Sequence, residues 1–292
     1  MKRKIVRQGA ATMMISLPSK WIKRNNLGKG DEITISEKDR ELIITTEDIK
    51  KEKKKAVIDV TGLTPLVNRT LMSFYIKGID ELEVYFKDPK EIEIFQKSVI
   101  NELLGFEIIR QSQKSFLIRD ITGLAHQEID EVIRRIFLIL DSMAEELIIA
   151  AEKKQSMNPV IETDSSVNKF VNFCLRILNK EGYKDFSKTS QIYGIVSHLE
   201  DIGDIYKEIA KKLNNKEKIT KDQIHVMEEL RNSLDMFKDL FFHFDMNNLV
   251  IFSKNYEKIR RLIKENNKID FNLHELNQTI IMMSNYLMVI SI

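Results

Sequence analysis

The sequence predicts an α+β multidomain protein: a small, strand-rich N-terminal module, a small α/β sandwich, and a C-terminal six-helix bundle of two three-helix repeats. Three observations carry that prediction. The first 47 residues are basic and rich in turn signals. Strand and helix patterns alternate over 56–121. From Leu124 onward apolar residues recur at alternating steps of four and three, the rhythm of a helix seam. With 292 residues, four prolines and ten glycines, the chain has room for two or three domains and for long helices.

Residues 1–47 read as a short strand, a helix of little more than one turn, and a hairpin. Pro18 stands at the first helical position and Asn25, Asn26 and Gly28 stop the helix. Strands Glu32–Ser36 and Glu41–Thr45 follow, joined by residues 37–40. A unit this small cannot bury enough surface alone, so it is expected to pair with a second copy. The run Lys50–Lys55 reads as a solvated linker. Met-Lys-Arg-Lys before the apolar stretch Ala10–Leu17 lacks the length and the cleavage site of a secretory signal.

Charge is distributed unevenly. The net charge is +2, yet the first 30 residues hold eight bases and no acid, and residues 1–55 hold 15 bases against eight acids. The rest of the chain must therefore be acidic. A basic head suits a polyanionic partner, with Arg3, Lys4, Arg7, Lys20, Lys23 and Arg24 as the candidate DNA-binding residues. The plainer alternative is a dimerisation device with a solvated surface.

Residues 56–121 predict a βαβαββ order. Ala56–Val60 and Leu82–Phe86 are strands, and Thr64-Pro65 and Asp88-Pro89 are helix starts. Gly105 ends the second helix, and 107–110 and 115–119 form a closing hairpin. Nothing in this region reads as catalytic.

The bundle, 122–292, divides into repeats 122–214 and 219–292. Seams run through Ile129, Ile133, Ile136, Leu140, Met143 and Leu147, and through Ile192, Ile195, Leu199, Ile202, Tyr206, Ile209 and Leu213. The later helices repeat the rhythm from Met227 to Phe244 and from Leu273 to Ile290. Cys174, the single cysteine, falls on an apolar face and excludes an internal disulfide framework, which fits a reducing cytoplasm. The five histidines lack metal-ligand spacing, and His198 reads as a seam-edge residue. No apolar run is long enough to span a membrane. No phosphate loop, dinucleotide fingerprint, nucleophile elbow or zinc signature appears, so an enzyme is not expected.

The segment His198-Leu-Glu-Asp-Ile-Gly-Asp204 is the most informative. Glu200 and Asp204, four apart, put two carboxylates on one helix face beside Gly203. A mid-helix glycine costs about 1 kcal/mol relative to alanine and asks for a reason: close helix packing, or room for a ligand. On spacing alone the simpler reading is a solvated acidic stripe.

Residues 199–204 with Ile209-Ala210, and the preceding Val160-Ile-Glu-Thr-Asp164-Ser-Ser-Val-Asn168, resemble the signature helices of PhoU domains. That resemblance implies metal ligands at Asp164, Glu200 and Asp204. Asn168 stands where an aspartate is usual, and Ile281 and Asn285 replace the expected acids of the last helix. It thus implies at most one weakened site for a divalent or iron-type metal.

The N-terminal segments Arg3-Lys-Ile-Val6, Leu17-Pro-Ser-Lys-Trp21 and Leu27-Gly-Lys-Gly-Asp-Glu-Ile33 resemble the AbrB/SpoVT swapped-hairpin module, an obligate dimer. The whole order is similar to archaeal PhoU-like phosphate-uptake regulators. It implies a cytoplasmic homodimer that binds DNA, restrains a phosphate transporter component or its signalling, or both. The alternatives are a ligand- or metal-sensing transcription factor unrelated to phosphate, and a structural adaptor.

Overall fold

A computed structural model of the chain describes residues 2–9, 12–38, 41–46, 53–97, 99–121, 129–264 and 266–292. The chain forms two compact units, Met1–Lys53 and Lys54–Ile292.

In the first unit, β1 (Val6–Gln8) pairs antiparallel with β2 (Thr12–Met14). The sequence predicts one strand here; a three-residue partner is too short to show alternation, and the structure adds a hairpin. Helix α1 (Ser19–Arg24) follows. Pro18 caps it rather than occupying its first turn, and the Pro18 carbonyl accepts from the Trp21 and Ile22 amides. Asn25 Nδ2 donates to the Trp21 carbonyl at 2.8 Å, and Asn26 turns the chain at φ 52°. Strands β3 (Ile33–Lys38) and β4 (Glu41–Thr46) then pair antiparallel, Ile35 opposite Ile44. Part of the 37–40 connection, half of the predicted linker and the predicted bundle start at 124 lie outside the described residues. No described residue of this unit is buried.

The second unit begins with the predicted βαβαββ run: β5 (Lys55–Asp59), α2 (Val67–Ile76), β6 (Glu81–Tyr85), α3 (Glu93–Lys97), β7 (Phe106–Gln111) and β8 (Ser115–Asp120). The sheet order is β5-β6-β8-β7, with β5 and β6 parallel and the other pairs antiparallel. Residues with period two divide its faces. Leu82, Val84, Phe116 and Ile118 point into a core with Leu71, Tyr75 and Phe95. The opposite face carries cross-strand ion pairs, Arg119 with Glu81 at 2.7 Å and Arg110 with Glu83 at 3.1 Å. Two sequence expectations need correction. The Thr64-Pro65 bond is cis and precedes the helix, which starts only at Val67. Asp88 does cap, accepting from the Lys90 amide while Glu91 accepts from the Asp88 amide, but it opens a 3-10 turn, with α3 following.

Six helices complete the unit: α4 (Ile129–Lys153), α5 (Asn158–Glu181), α6 (Thr189–Asn214), α7 (Lys221–Phe242), α8 (Met246–Leu262) and α9 (Lys268–Ser291). Helices α4, α5 and α6 pack on one another, as do α7, α8 and α9; α4 meets α7 and α6 meets α9 to join the triplets. The predicted seam residues are buried throughout α4 and from Ile192 to Ile209 in α6. Caps are local: Thr220 and Gln223 form a reciprocal capping box for α7, and Asn267 Oδ1 accepts two amides at the start of α9. A Cβ on Gly203 would come 3.2 Å from Val167 Cγ1, so the glycine serves the close approach of α5 and α6.

Helix α5 also packs on α2 and on the 3-10 turn at 99–102. Arg176, 3% exposed, is the centre of this contact. Its guanidinium donates to the Tyr75 and Ile79 carbonyls at 2.8 and 2.6 Å and to Asp80 and Asp120 at 2.9 and 3.1 Å. It also lies against the rings of Tyr75 and Phe106. A planar group with five donors can satisfy such a set in a way an ammonium cannot.

Candidate functional site

In the first unit, α1 sets Lys20, Lys23 and Arg24 at i, i+3 and i+4, so the three cations share one face, and all three are exposed. Trp21 and Ile22 are half-buried. Arg3 and Lys4 are exposed on the approach to β1, and Arg7, within it, donates to the Gly9 carbonyl at 3.2 Å. Apolar residues are exposed beside them: Ile5, Val6, Met13, Met14 and Ile15, with Ile35, Leu42 and Ile43 on the second hairpin. This much apolar surface on two short hairpins is the signature of a face meant to be covered.

In the second unit, the predicted carboxylates are gathered, though not as a ligand set. Asp164 on α5 is 4% exposed. Its Oδ2 accepts from Lys207 Nζ on α6 at 2.6 Å and from Asn168 Nδ2 at 3.3 Å. Lys207 also donates to Asp204 Oδ1 at 3.1 Å. The lysine is thus the bridge between two of the three predicted metal ligands, and sequence reading missed it; a base three residues after Asp204 was the available signal. Glu102, from the 3-10 turn against α5, joins from the α/β layer: burial and the charge of Asp164 push its carboxyl up, while a hydrogen bond from Asn168 opposes. Burial, and then the charges of Asp204, Asp201 and Asp164, push Glu200 up to about 7 against the pull of Lys207. Burial lowers the Lys207 ammonium, but Asp164 and Asp204 outweigh it and hold it above the usual lysine range. Asp164 Oδ1 and Asn168 Oδ1 are buried and find no donor among the described residues.

The donor set does not suit a metal. Among the described residues no group of three or more His, Cys, Asp or Glu side chains is placed to hold one. Of the sequence-expected ligands, Asp164 and Asp204 are joined by an ammonium, and Asn168 contributes an amide in place of an anion.

Other candidates take structural places. Cys174 is buried and its thiol is pushed far up by desolvation, leaving it inert. His198 Nδ1 meets Asp201 Oδ2 at 2.9 Å at the edge of a polar cleft of about 550 Å³ between α6 and α9. Ile281 is half-buried and Asn285 exposed, so the last helix gathers no second acidic cluster at these positions. No helix of the described residues is long and apolar enough to cross a membrane.

Residues 6–56 match the family described as antidote-toxin recognition MazE, bacterial antitoxin. The N-terminal unit therefore carries a MazE/AbrB-like domain, in agreement with the swapped-hairpin resemblance. No curated protein and no solved structure matches the chain.

Proposed function

We propose that this chain is a dimeric, DNA-binding regulator of phosphate uptake, working in the cytoplasm and not an enzyme. The observation that carries it is the exposed cationic face of α1 on a unit that buries no described residue. The likeness of residues 6–56 to an antitoxin family supports a regulatory head. A second copy would cover the apolar hairpins and present the cationic face twice, as two-fold symmetric DNA binders do. Lysine and arginine on phosphates supply affinity that falls steeply with salt. The phosphate-specific part rests on the PhoU-like segments around Asp164 and Glu200, and it assigns to the helical unit the restraint of a phosphate transporter or its signalling.

Chromatin immunoprecipitation of the tagged protein from phosphate-replete and phosphate-starved cells tests both parts. Discrete peaks near phosphate-transport genes, lost in Lys20→Glu/Arg24→Glu, are expected. In vitro, neutral Lys20→Gln/Arg24→Gln should flatten the slope of log affinity against log salt by about one for each phosphate contact removed. A flat immunoprecipitation profile in both conditions sinks the DNA-binding reading; peaks indifferent to phosphate sink its phosphate half.

A further inference from the structure

We propose that Lys207 is the resident cation of the carboxylate cluster, so that this bundle is held at α5 and α6 by an ammonium and has no need of a divalent metal there. The geometry starts from Asp164. A carboxylate 96% withdrawn from water must be neutralised or paired, since an isolated buried ion is penalised by several kcal/mol. Its charge partner is Lys207, whose Nζ stands 2.6 Å from Asp164 Oδ2 and 3.1 Å from Asp204 Oδ1. One cation thus spans two helices, which is what a metal does when facing helices of a bundle supply its ligands.

The ammonium and a metal exclude each other. Divalent ions hold carboxylate oxygens at about 2.0–2.6 Å. An ion on the same Asp164 oxygen would lie within about 5 Å of Nζ, where two cations in partly desolvated surroundings repel. With the ammonium in place, the remainder of the cluster offers no second ligand set. Asn168 brings no charge, Asp204 is 55% exposed at its side chain, and Glu200 and Glu102 keep apart from any converging group of three. Lysine provides its charge as part of the chain, always present and independent of metal supply; its three donors suit two carboxylates.

The neighbouring element gives the arrangement a consequence. Glu102 reaches the same cluster from the α/β layer through Asn168. Removing the ammonium therefore unbalances charges from three elements at once: the 3-10 turn at 99–102, α5 and α6.

Thermal melts of the full chain, with Mn²⁺ as the probe and EDTA as its control, decide the matter. Wild type is expected to melt at the same temperature in both. Lys207→Ala should melt lower in EDTA and be raised by Mn²⁺, by roughly 5–10 °C at a hundred times its Kd. Lys207→Ala/Asp204→Asn should lose that response. Lys207→Met, which keeps the stem's packing, separates lost charge from lost volume and should respond to Mn²⁺ as the alanine variant does. Equilibrium dialysis should find stoichiometric Mn²⁺ on both single variants and none on wild type. The proposal fails if wild type is raised by Mn²⁺ or lowered by EDTA, or if neither single variant gains Mn²⁺ binding. A variant that folds only with Mn²⁺ supports it; one that stays unfolded in either condition counts against it.

Discussion

The two units obey opposite rules. In Met1–Lys53 no described residue is buried, while its strands show Met13 and Leu42 each 66% exposed to solvent. In Lys54–Ile292 apolar side chains form two clusters, one under the sheet and one along the bundle, and even a charged residue such as Arg176 is enclosed. At about 25 cal/mol per Å² of apolar surface withdrawn from water, the second unit supplies its own driving force and the first does not. One is a complete fold; the other is a component of one.

The largest test of this contrast is Arg176→Met. It takes the shared guanidinium from Asp80, which keeps Lys180, and from Asp120, and removes a donor from the Tyr75 and Ile79 carbonyls, so a loss of about 3–5 kcal/mol is expected by chemical denaturation followed at 222 nm. A loss under 1 kcal/mol would mean the enclosed charge contributes little.

Glu200→Gln gives a smaller effect with a definite pH signature. The carboxyl, raised to about 7 in the fold by burial and by Asp204, Asp201 and Asp164, titrates lower when unfolded. The unfolded chain therefore ionises first, and stability that is full below pH ~4.5 is lost as pH rises towards 7. The amide variant should be more stable than wild type by up to about 2 kcal/mol at pH 7.5 and equal to it near pH 4. An equal gain at both pH values would rule out titration of Glu200 as its source.

The finest test uses the single tryptophan. Trp21 lies in the first unit, so its fluorescence follows that unit while ellipticity at 222 nm follows the helices of the second. The Trp21 transition should depend on protein concentration, by about 1.4 kcal/mol per tenfold change, and the ellipticity transition should not. Met14→Asp/Ile35→Asp should abolish self-association in sedimentation and move the ellipticity transition by less than about 0.5 kcal/mol. Concentration-independent Trp21 unfolding would show that the exposed strands do not join copies.

What could be read from the sequence follows from how local its causes are. The seams of α4 and α6 were legible because burial imposes the same rhythm on every turn of a long helix. The α/β order was legible because each strand there has five or six residues in which to alternate. The β1–β2 hairpin was not, because three residues cannot show a period. Pro65 misled because proline suits both a first helical turn and the turn before one, and only the tertiary setting chooses. At the cluster, Glu200 and Asp204 were visible as an i, i+4 pair. Lys207 at i+3 from Asp204 is, in sequence, indistinguishable from routine charge patterning; its reach to Asp164 on another helix, 43 positions away, is a long-range fact. Arg176 and Glu102 were hidden for the same reason.

Arg176 has one more implication, for cooperativity. Its guanidinium takes carbonyls at and just past the end of α2 and two carboxylates side by side at one end of the sheet's central strands, all from within α5. The α/β layer cannot peel from the bundle by degrees, because the first step of separation strands a charge in an apolar seam before water can reach it. Layer and bundle should therefore melt in a single transition, without a populated state in which one survives the other.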